Sequence, residues 1–491
     1  MTFLTPDHHR SIRVRSAATL GRAAAGAVAT YVHEGTKMWS RGLRWMIAIR
    51  TIVAAAVVGV ALASCAASTS PSSIAGAPLR TTVPAAKSAP SPVPVNQALI
   101  PAPAAPSPVA PTIGLARVAI LLPLTGPSAP IGEALLDAAE MALFDAGDEH
   151  LILQVYNTGG TPEETAKVAA KAIADGAQII LGPVFAADAK AASPVAMANG
   201  VNIVTFSTDP TIAGGNVFEL GFLVQEQVRE IVTFARSQGH TRFAVLAPES
   251  AYGQAAVDAF RTIVPAQGGQ ISRVGVYAAD GSNLEDVVKE ITNFEQRKRA
   301  LAAEKARLAG KTDDASQQAL KNLAQQDTFG DVDFDAILLP DQGTRLTRAA
   351  TLLPYYDVDP NRVQLLGTLL WNTPNLGQEP AMVGGMYPSP SPEGNQKFMS
   401  RYRDLYGHPP PTIASHGYDA VALAAALARS GIARPFAAES LTSPSGFAGV
   451  DGIFRFLPNG LSERSFAVMQ VTHDGPVLVQ AGASTFTGAG F

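Results

Sequence analysis

One cysteine, Cys65, in a chain of 491 residues excludes an intramolecular disulfide and a cysteine-based zinc cluster. Catalytic signatures are missing too: there is no G-x-S-x-G, no H-E-x-x-H and no Walker A loop. The eight histidines have no ligand spacing. His8, His9 and His33 precede Cys65, while His150, His240, His408, His416 and His473 are scattered. His416 stands near Tyr418 and Asp419, a grouping better read as a histidine packed on a helix than as a catalytic one. Gly182, Gly214, Gly215 and Gly221 lack dinucleotide-loop spacing and read as loop formers. These absences describe a protein that is not an enzyme and carries neither cofactor nor metal.

Long apolar runs are also lacking. Arg41, Arg44 and Arg50 form a basic region, Ile52 to Leu62 an apolar stretch, and Leu62-Ala63-Ser64 a small-residue site before Cys65. The stretch falls short of the roughly 20 residues of a membrane helix. Basic, apolar and small residues in that order mark a cleaved export signal within a 1–64 leader. Leu-Ala-Ser-Cys resembles the lipobox of bacterial lipoproteins, which implies cleavage before Cys65 and its acylation through sulfur. An uncleaved anchor is the alternative. Met38 and Met46 stand as starts besides Met1, because the signal-like segment begins late. Ala66, rather than the aspartate of inner-membrane retention, implies the periplasmic side of the outer membrane.

Residues 1–64 hold eight Lys/Arg and two Asp/Glu, so the remaining 29 basic and 39 acidic residues leave a net charge of about −10. Such a chain has no footprint for nucleic acid and would meet a membrane through its acyl chains, not its charge. Residues 66–112 contain eleven prolines among small and polar residues, with almost nothing large to bury. They read as a disordered tether, 65–112 with the lipidated cysteine, reaching up to roughly 145 Å at ~3.1 Å per residue.

What is present is an alternation of apolar strands and helices. Val118 to Leu122 meets a Pro-Leu-Thr-Gly-Pro turn, then Ile131, Leu135, Ala138, Ala139, Ala142 and Leu143 recur at helical spacing. Strands follow at 151–156, 178–181, 202–206 and 217–220, separated by helices at 161–174 and 188–199. Thr161, Pro162 and Glu164 form a capping signal. A second set has strands at 242–247, 270–277, 334–340 and 363–370 and helices at 224–237, to Val264, and at 415–427. Residues 452–471 read as a hairpin around Pro458-Asn459-Gly460. This is an α/β chain with parallel sheets, whose ligands bind at the carboxyl ends of the strands.

VAILLPLTGPSAPIGE, GPVFAADAKAASPVAMANGVNIVTFSTDP and SHGYDAVALAAAL resemble, in order and spacing, the type I periplasmic binding-protein fold of the leucine/isoleucine/valine-binding proteins. FDAILLPDQGTRL (334–346), LLGTLLWNTP (365–374) and GFAGVDGIFRFLPNGLSER (446–464) resemble the penicillin-binding protein activator lipoproteins. The resemblance implies a domain over 113–485 with two Rossmann-like lobes, lobe 1 at 114–221 and 366–440, lobe 2 at 222–365 and 441–485, and a tail at 486–491. Three hinge crossovers join the lobes, with any ligand between them. Transporter-type relatives hold an amino acid with hydroxyls after the third and fourth strands. Phe185-Ala186-Ala187 lacks the first set, and Ser207-Thr208-Asp209 keeps the second.

Half of that clamp is missing, which favours an activator of a peptidoglycan synthase, a bifunctional penicillin-binding protein, over a solute carrier. The alternative is a tethered solute-binding protein for an amino acid, peptide or cell-wall fragment, serving an ABC transporter or sensor. The helical-repeat domain of the best-known activator has no counterpart, since no repeat of about 34 residues occurs. Residues 294–327, rich in helix formers with a turn at 310–312, read as an αα-hairpin on lobe 2. It is either a solvated decoration or a partner-docking surface offering Arg297-Lys298-Arg299. The cleft candidates, all in loops at strand ends, are Ser128, Ser207, Thr208, Tyr252, Asp341, Gln342 and Trp371. Ordinary loop hydrogen bonding or interdomain packing is the alternative for each. Trp371 could plug an unused cleft or stack on a ligand.

Overall fold

The computed structural model describes residues 10–12, 115–373 and 375–486. Cys65, its preceding signal segment and the tether lie outside them. In chain order the first lobe contributes β1 (Arg10–Ile12), β2 (Ala116–Leu122), α1 (Ala129–Ala146), β3 (Leu151–Asn157), α2 (Pro162–Ala174), β4 (Ile179–Leu181), α3 (Ala186–Ala198), β5 (Asn202–Thr205) and β6 (Val217–Glu219). Its sheet runs β1-β3-β2-β4-β5-β6, parallel except for β1, a short strand antiparallel to β3 that falls within the expected leader.

The central strand β2 shows why the order forms. Val118, Ile120 and Leu122 face a core shared with α1, and Ala119 and Leu121 face one shared with α2 and α3. Both faces of a parallel strand are covered, so it reads as a continuous apolar run. Helix α2 starts where Thr161 Oγ1 accepts the Glu164 N–H at 3.3 Å and Pro162 fills the first turn.

The second lobe begins with α4 (Val224–Ser237), β7 (Arg242–Pro248), α5 (Ala251–Ala266), β8 (Gln270–Tyr277), α6 (Leu284–Ile291), α7 (Phe294–Ala309) and α8 (Asp314–Leu323). It continues through β9 (Ala336–Leu338), α9 (Gly343–Tyr355), β10 (Gln364–Leu366) and β11 (Met386–Ser389). The chain then returns to lobe 1 as α10 (Pro392–Tyr406), α11 (Ala414–Arg429), α12 (Ala438–Leu441) and the antiparallel β12 (Phe447–Gly449), β13 (Gly452–Phe456) and β14 (Ser462–Arg464). Last come β15 (Ala467–Gln470) and β16 (Val477–Gln480), completing the lobe 2 sheet β16-β15-β11-β10-β9-β7-β8. Helices α4 and α5 cover one face of that sheet, α6 and α9 the other.

The crossovers lie at 220–223, 390–391 and 465–466, so the lobe boundaries expected at 366 and 441 are displaced. Strand β10 does not leave lobe 2: Leu366 pairs with Leu338 and Met386, and β11 pairs in turn with β15. Conversely, Phe454 and Phe456 join the core of lobe 1, so residues 447–464 belong there. The hairpin expected over 452–471 is confined to β13 and β14, with Phe456 opposite Ser462. Beyond Arg464 its return strand departs to the other sheet, because β11 offers an antiparallel edge to Ala467–Gln470. Helix α11 packs tightly on α1; at Gly417 a Cβ would overlap the Leu135 carbonyl oxygen.

Residues 294–327 hold α7 and α8, which enclose a small core of Leu301, Leu308 and Leu323. Arg297, expected as surface charge, is instead buried. Its guanidinium donates to Gly330 O at 3.0 and 2.8 Å and to Asp357 O at 3.0 Å.

Candidate functional site

A cavity of about 260 Å³ opens where lobe 2 meets the first crossover and the start of α11. Phe222 comes from the crossover, Gln227 from α4 and Tyr252 from the first turn of α5. Gln342 stands at the N-cap of α9, Leu369, Leu370, Asn372 and Thr373 follow β10, and Thr412 is supplied by lobe 1 just before α11.

One buried amide organises this wall. Gln227 Oε1 accepts the Tyr252 hydroxyl at 3.0 Å and the Leu369 N–H at 2.9 Å, while Nε2 donates to Phe222 O at 3.1 Å. Three segments far apart in sequence are thereby held by a single side chain whose donor and acceptor are both used. Burial pushes the Tyr252 phenol up to about 12, so it is a neutral hydroxyl at ordinary pH. Asn372 Oδ1 accepts from Tyr387 at 3.4 Å, leaving its Nδ2 as a donor.

Of the seven residues expected in the cleft, Tyr252 and Gln342 line this cavity. Thr208 lines a different groove of about 490 Å³, between the loop after β5 and helices α4 and α5. Ser207 is buried, accepting the Asp209 N–H on its hydroxyl at 3.1 Å. Ser128 precedes α1 without a side-chain cap bond.

Asp341 points away from the cavity. It is buried, accepting Tyr277 at 2.5 Å and the Arg345 guanidinium at 2.8 and 2.9 Å. Trp371 neither plugs the cleft nor faces a ligand. It is fully buried in the lobe 2 core beside Tyr387, its Nε1 donating to Leu339 O at 3.1 Å. The loop after β10 folds back under its own sheet and carries the ring inward.

Sequence reasoning missed Gln227, Phe222 and Thr412, which carry no motif. Asn372 and Thr373, beside Trp371 in the chain, line the cavity that the Trp371 ring does not reach.

A further cavity, about 690 Å³, lies elsewhere in lobe 2, beside the α7–α8 insertion. Its carboxylates are engaged: Asp333 with Arg273 at 2.6 Å, Asp331 with Arg362 at 2.6 Å and Asp335 with Arg242 at 3.5 Å. Among the described residues no group of three His, Cys, Asp or Glu is disposed to hold a metal, and no helix is long and apolar enough to cross a membrane. His416 is buried edge-on against Phe222 at 4.5 Å, and burial, then Arg464, lowers it to about 3. It packs as a neutral ring.

Known proteins share this architecture. Protein RP748 of Rickettsia prowazekii, uncharacterized, is 28% identical over 178 residues, 36% of this chain and 47% of its own. The Leu/Ile/Val-binding protein BraC3 of Rhizobium johnstonii is 28% identical over 166 residues, 31% and 44% of the two chains. The chain thus spans a little under half the length of these relatives. A solved structure from Rhodospirillum rubrum, an ABC transporter protein assigned to branched-chain amino acids, has a TM-score of 0.60 at 19% identity, covering 74% of this chain and 99% of its own. An ABC transporter substrate-binding protein from Sphaerobacter thermophilus gives 0.52 at 18% identity, covering 76% and 98%. At these identities the likeness is one of fold. With two open sheets joined by three crossovers and the family model for periplasmic binding proteins matched over residues 116–476, this chain belongs to the periplasmic binding protein family.

Proposed function

We infer that the chain is a lipid-anchored, non-catalytic binding protein on the periplasmic side of the outer membrane, whose interlobe cavity takes a small ligand. The observation that carries this is the wall built by Gln227, where one buried amide holds Phe222, Tyr252 and Leu369 around the cavity that Thr412 of lobe 1 completes. A preformed concave site with a few placed polar groups is how such folds bind small molecules. Relatives named for leucine, isoleucine and valine binding support the class of function. The test is a thermal shift of the full chain across a metabolite library. Ligand at 100 times its dissociation constant adds about 2.7 kcal/mol of stability, and a library without any stabilising member removes the reading.

A second reading is favoured by α7 and α8, an insertion with its own small core on lobe 2. In it the tether carries the domain to a peptidoglycan synthase, and the hairpin docks to favour the active conformation of that enzyme. Adding the chain to a purified bifunctional penicillin-binding protein, with and without residues 294–327, tests this. Stimulation that survives the deletion removes the hairpin as the docking element, and no stimulation removes the activator reading.

A further inference from the structure

We propose that the cavity walled by Gln227 and completed by Thr412 selects a ligand that bears no ionised group, of monosaccharide size, that both donates and accepts hydrogen bonds: a neutral sugar. This rests on the small-ligand reading above.

Charge comes first. None of the side chains lining the cavity is Asp, Glu, Lys, Arg or His. Asp341, next to Gln342 in the chain, is closed off by Tyr277, by the Gln342 N–H at 2.8 Å and by Arg345. Lying just before α9, that carboxylate also meets the positive end of the helix dipole, which an anionic ligand would otherwise exploit. A carboxylate or ammonium entering here would give up its water without a countercharge, at a cost of several kcal/mol.

Hydrogen-bond type points the same way. Gln342, Thr373 and Thr412 each present a donor and an acceptor in one group. The Tyr252 proton is committed to Gln227, so toward the cavity that hydroxyl only accepts, and Asn372 offers its Nδ2. A carboxylate accepts only and an ammonium donates only, so either leaves part of the lining unmatched. Sugar hydroxyls do both.

The remaining wall is apolar. Phe222, Leu369 and Leu370 face the cavity with the ring of Tyr252, and the negative face of an aromatic ring attracts the polarised C–H bonds of a sugar. A volume of about 260 Å³ admits one sugar ring but not a disaccharide or peptide.

The test uses the full chain, with D-glucose and N-acetyl-D-glucosamine as probes without an ionised group and zwitterionic L-leucine and anionic benzoate as charged-group probes, by calorimetry and thermal shift. A sugar probe is expected to bind at least tenfold tighter than either charged-group probe, with affinity unchanged between low and high salt. Gln342→Ala should weaken it by up to about tenfold without moving the melting temperature of the unliganded protein, and Asn372→Ala should weaken it similarly while lowering that temperature, because Tyr387 loses its acceptor. Leucine or benzoate binding as tightly as the sugars overturns the neutral class while leaving a small-ligand site in place. No binding by any of the four overturns the sugar assignment, and the library screen then decides the broader reading.

Discussion

Arg464 Nη1 lies 3.7 Å from Asp419 Oδ2, and neither side chain reaches solvent. Arg464 closes β14, just before the third crossover, and its other terminal nitrogen donates to Leu220 O at the first, 3.4 Å away. Phe222 and Phe454 flank the guanidinium, each with its ring centre 5.0 Å away. Asp451, also buried, accepts from Asn395 at 2.7 Å, and its carbonyl accepts the Ser391 N–H at the second crossover. Burial, and then the neighbouring Asp451, hold the Asp419 carboxyl well above the usual range. One guanidinium and two carboxylates therefore sit where all three crossovers meet.

Removing that guanidinium strands two buried carboxylates. Arg464→Met should destabilise the folded chain by about 3–5 kcal/mol, as broken buried ion pairs do. Urea unfolding measures the loss, and adding Asp419→Asn and Asp451→Asn should recover most of it. A triple variant as unstable as Arg464→Met would show that packing, not charge, holds the hinge.

Stability should fall as pH rises from about 5 to 8. Burial, and next the charge of Asp209, push Glu219 up to about 8 from 4.5, and burial pushes Glu226 up to about 7. Between those values the folded state keeps protons that the unfolded state has released, so raising pH favours unfolding, and the loss levels off above 8. Melting temperatures across this window check the sign. Glu219→Gln should flatten the slope, because neither oxygen of the buried Glu219 has a hydrogen-bond partner in the structure.

Trp371→Ala should cost about 3–5 kcal/mol, the range for emptying a buried aromatic site. Trp371→Phe, which keeps most of the packing, should cost less and leave probe affinity in the cavity unchanged. A large loss of affinity with normal stability would return Trp371 to the cleft.

Arg297→Ala should loosen α7 and α8 alone. Gly330 O and Asp357 O would lose their donors, and the insertion would rely on its small core of leucines. Hydrogen exchange should accelerate across 294–323 with β7 and β9 unaffected. Uniform acceleration through lobe 2 would mean that the insertion braces the whole lobe.

Local signals in the chain were enough for the strands and helices around the first sheet. The apolar run at 118–122, the Thr161-Pro162-Glu164 cap and the helix formers of 294–327 act through neighbours within a few residues. The α/β class and the two-lobed arrangement followed from their order and from long family-like segments. The crossovers did not, because β10 and β13 look alike in sequence whichever sheet they join. Pairing of Leu366 with Met386, and of β11 with β15, decided it through hydrogen bonds between segments far apart. The site divides the same way. Tyr252 and Gln342 were legible as polar residues at strand ends, whereas the direction of Trp371 and Asp341 depended on what lay behind their loops. Gln227, an unremarkable glutamine in an amphipathic helix, became central only when folding brought Phe222, Tyr252 and Leu369 within reach of one amide. Periodicity and capping are short-range and written in the chain; the walls of a cavity are made by contacts between distant residues, which only the tertiary structure sets.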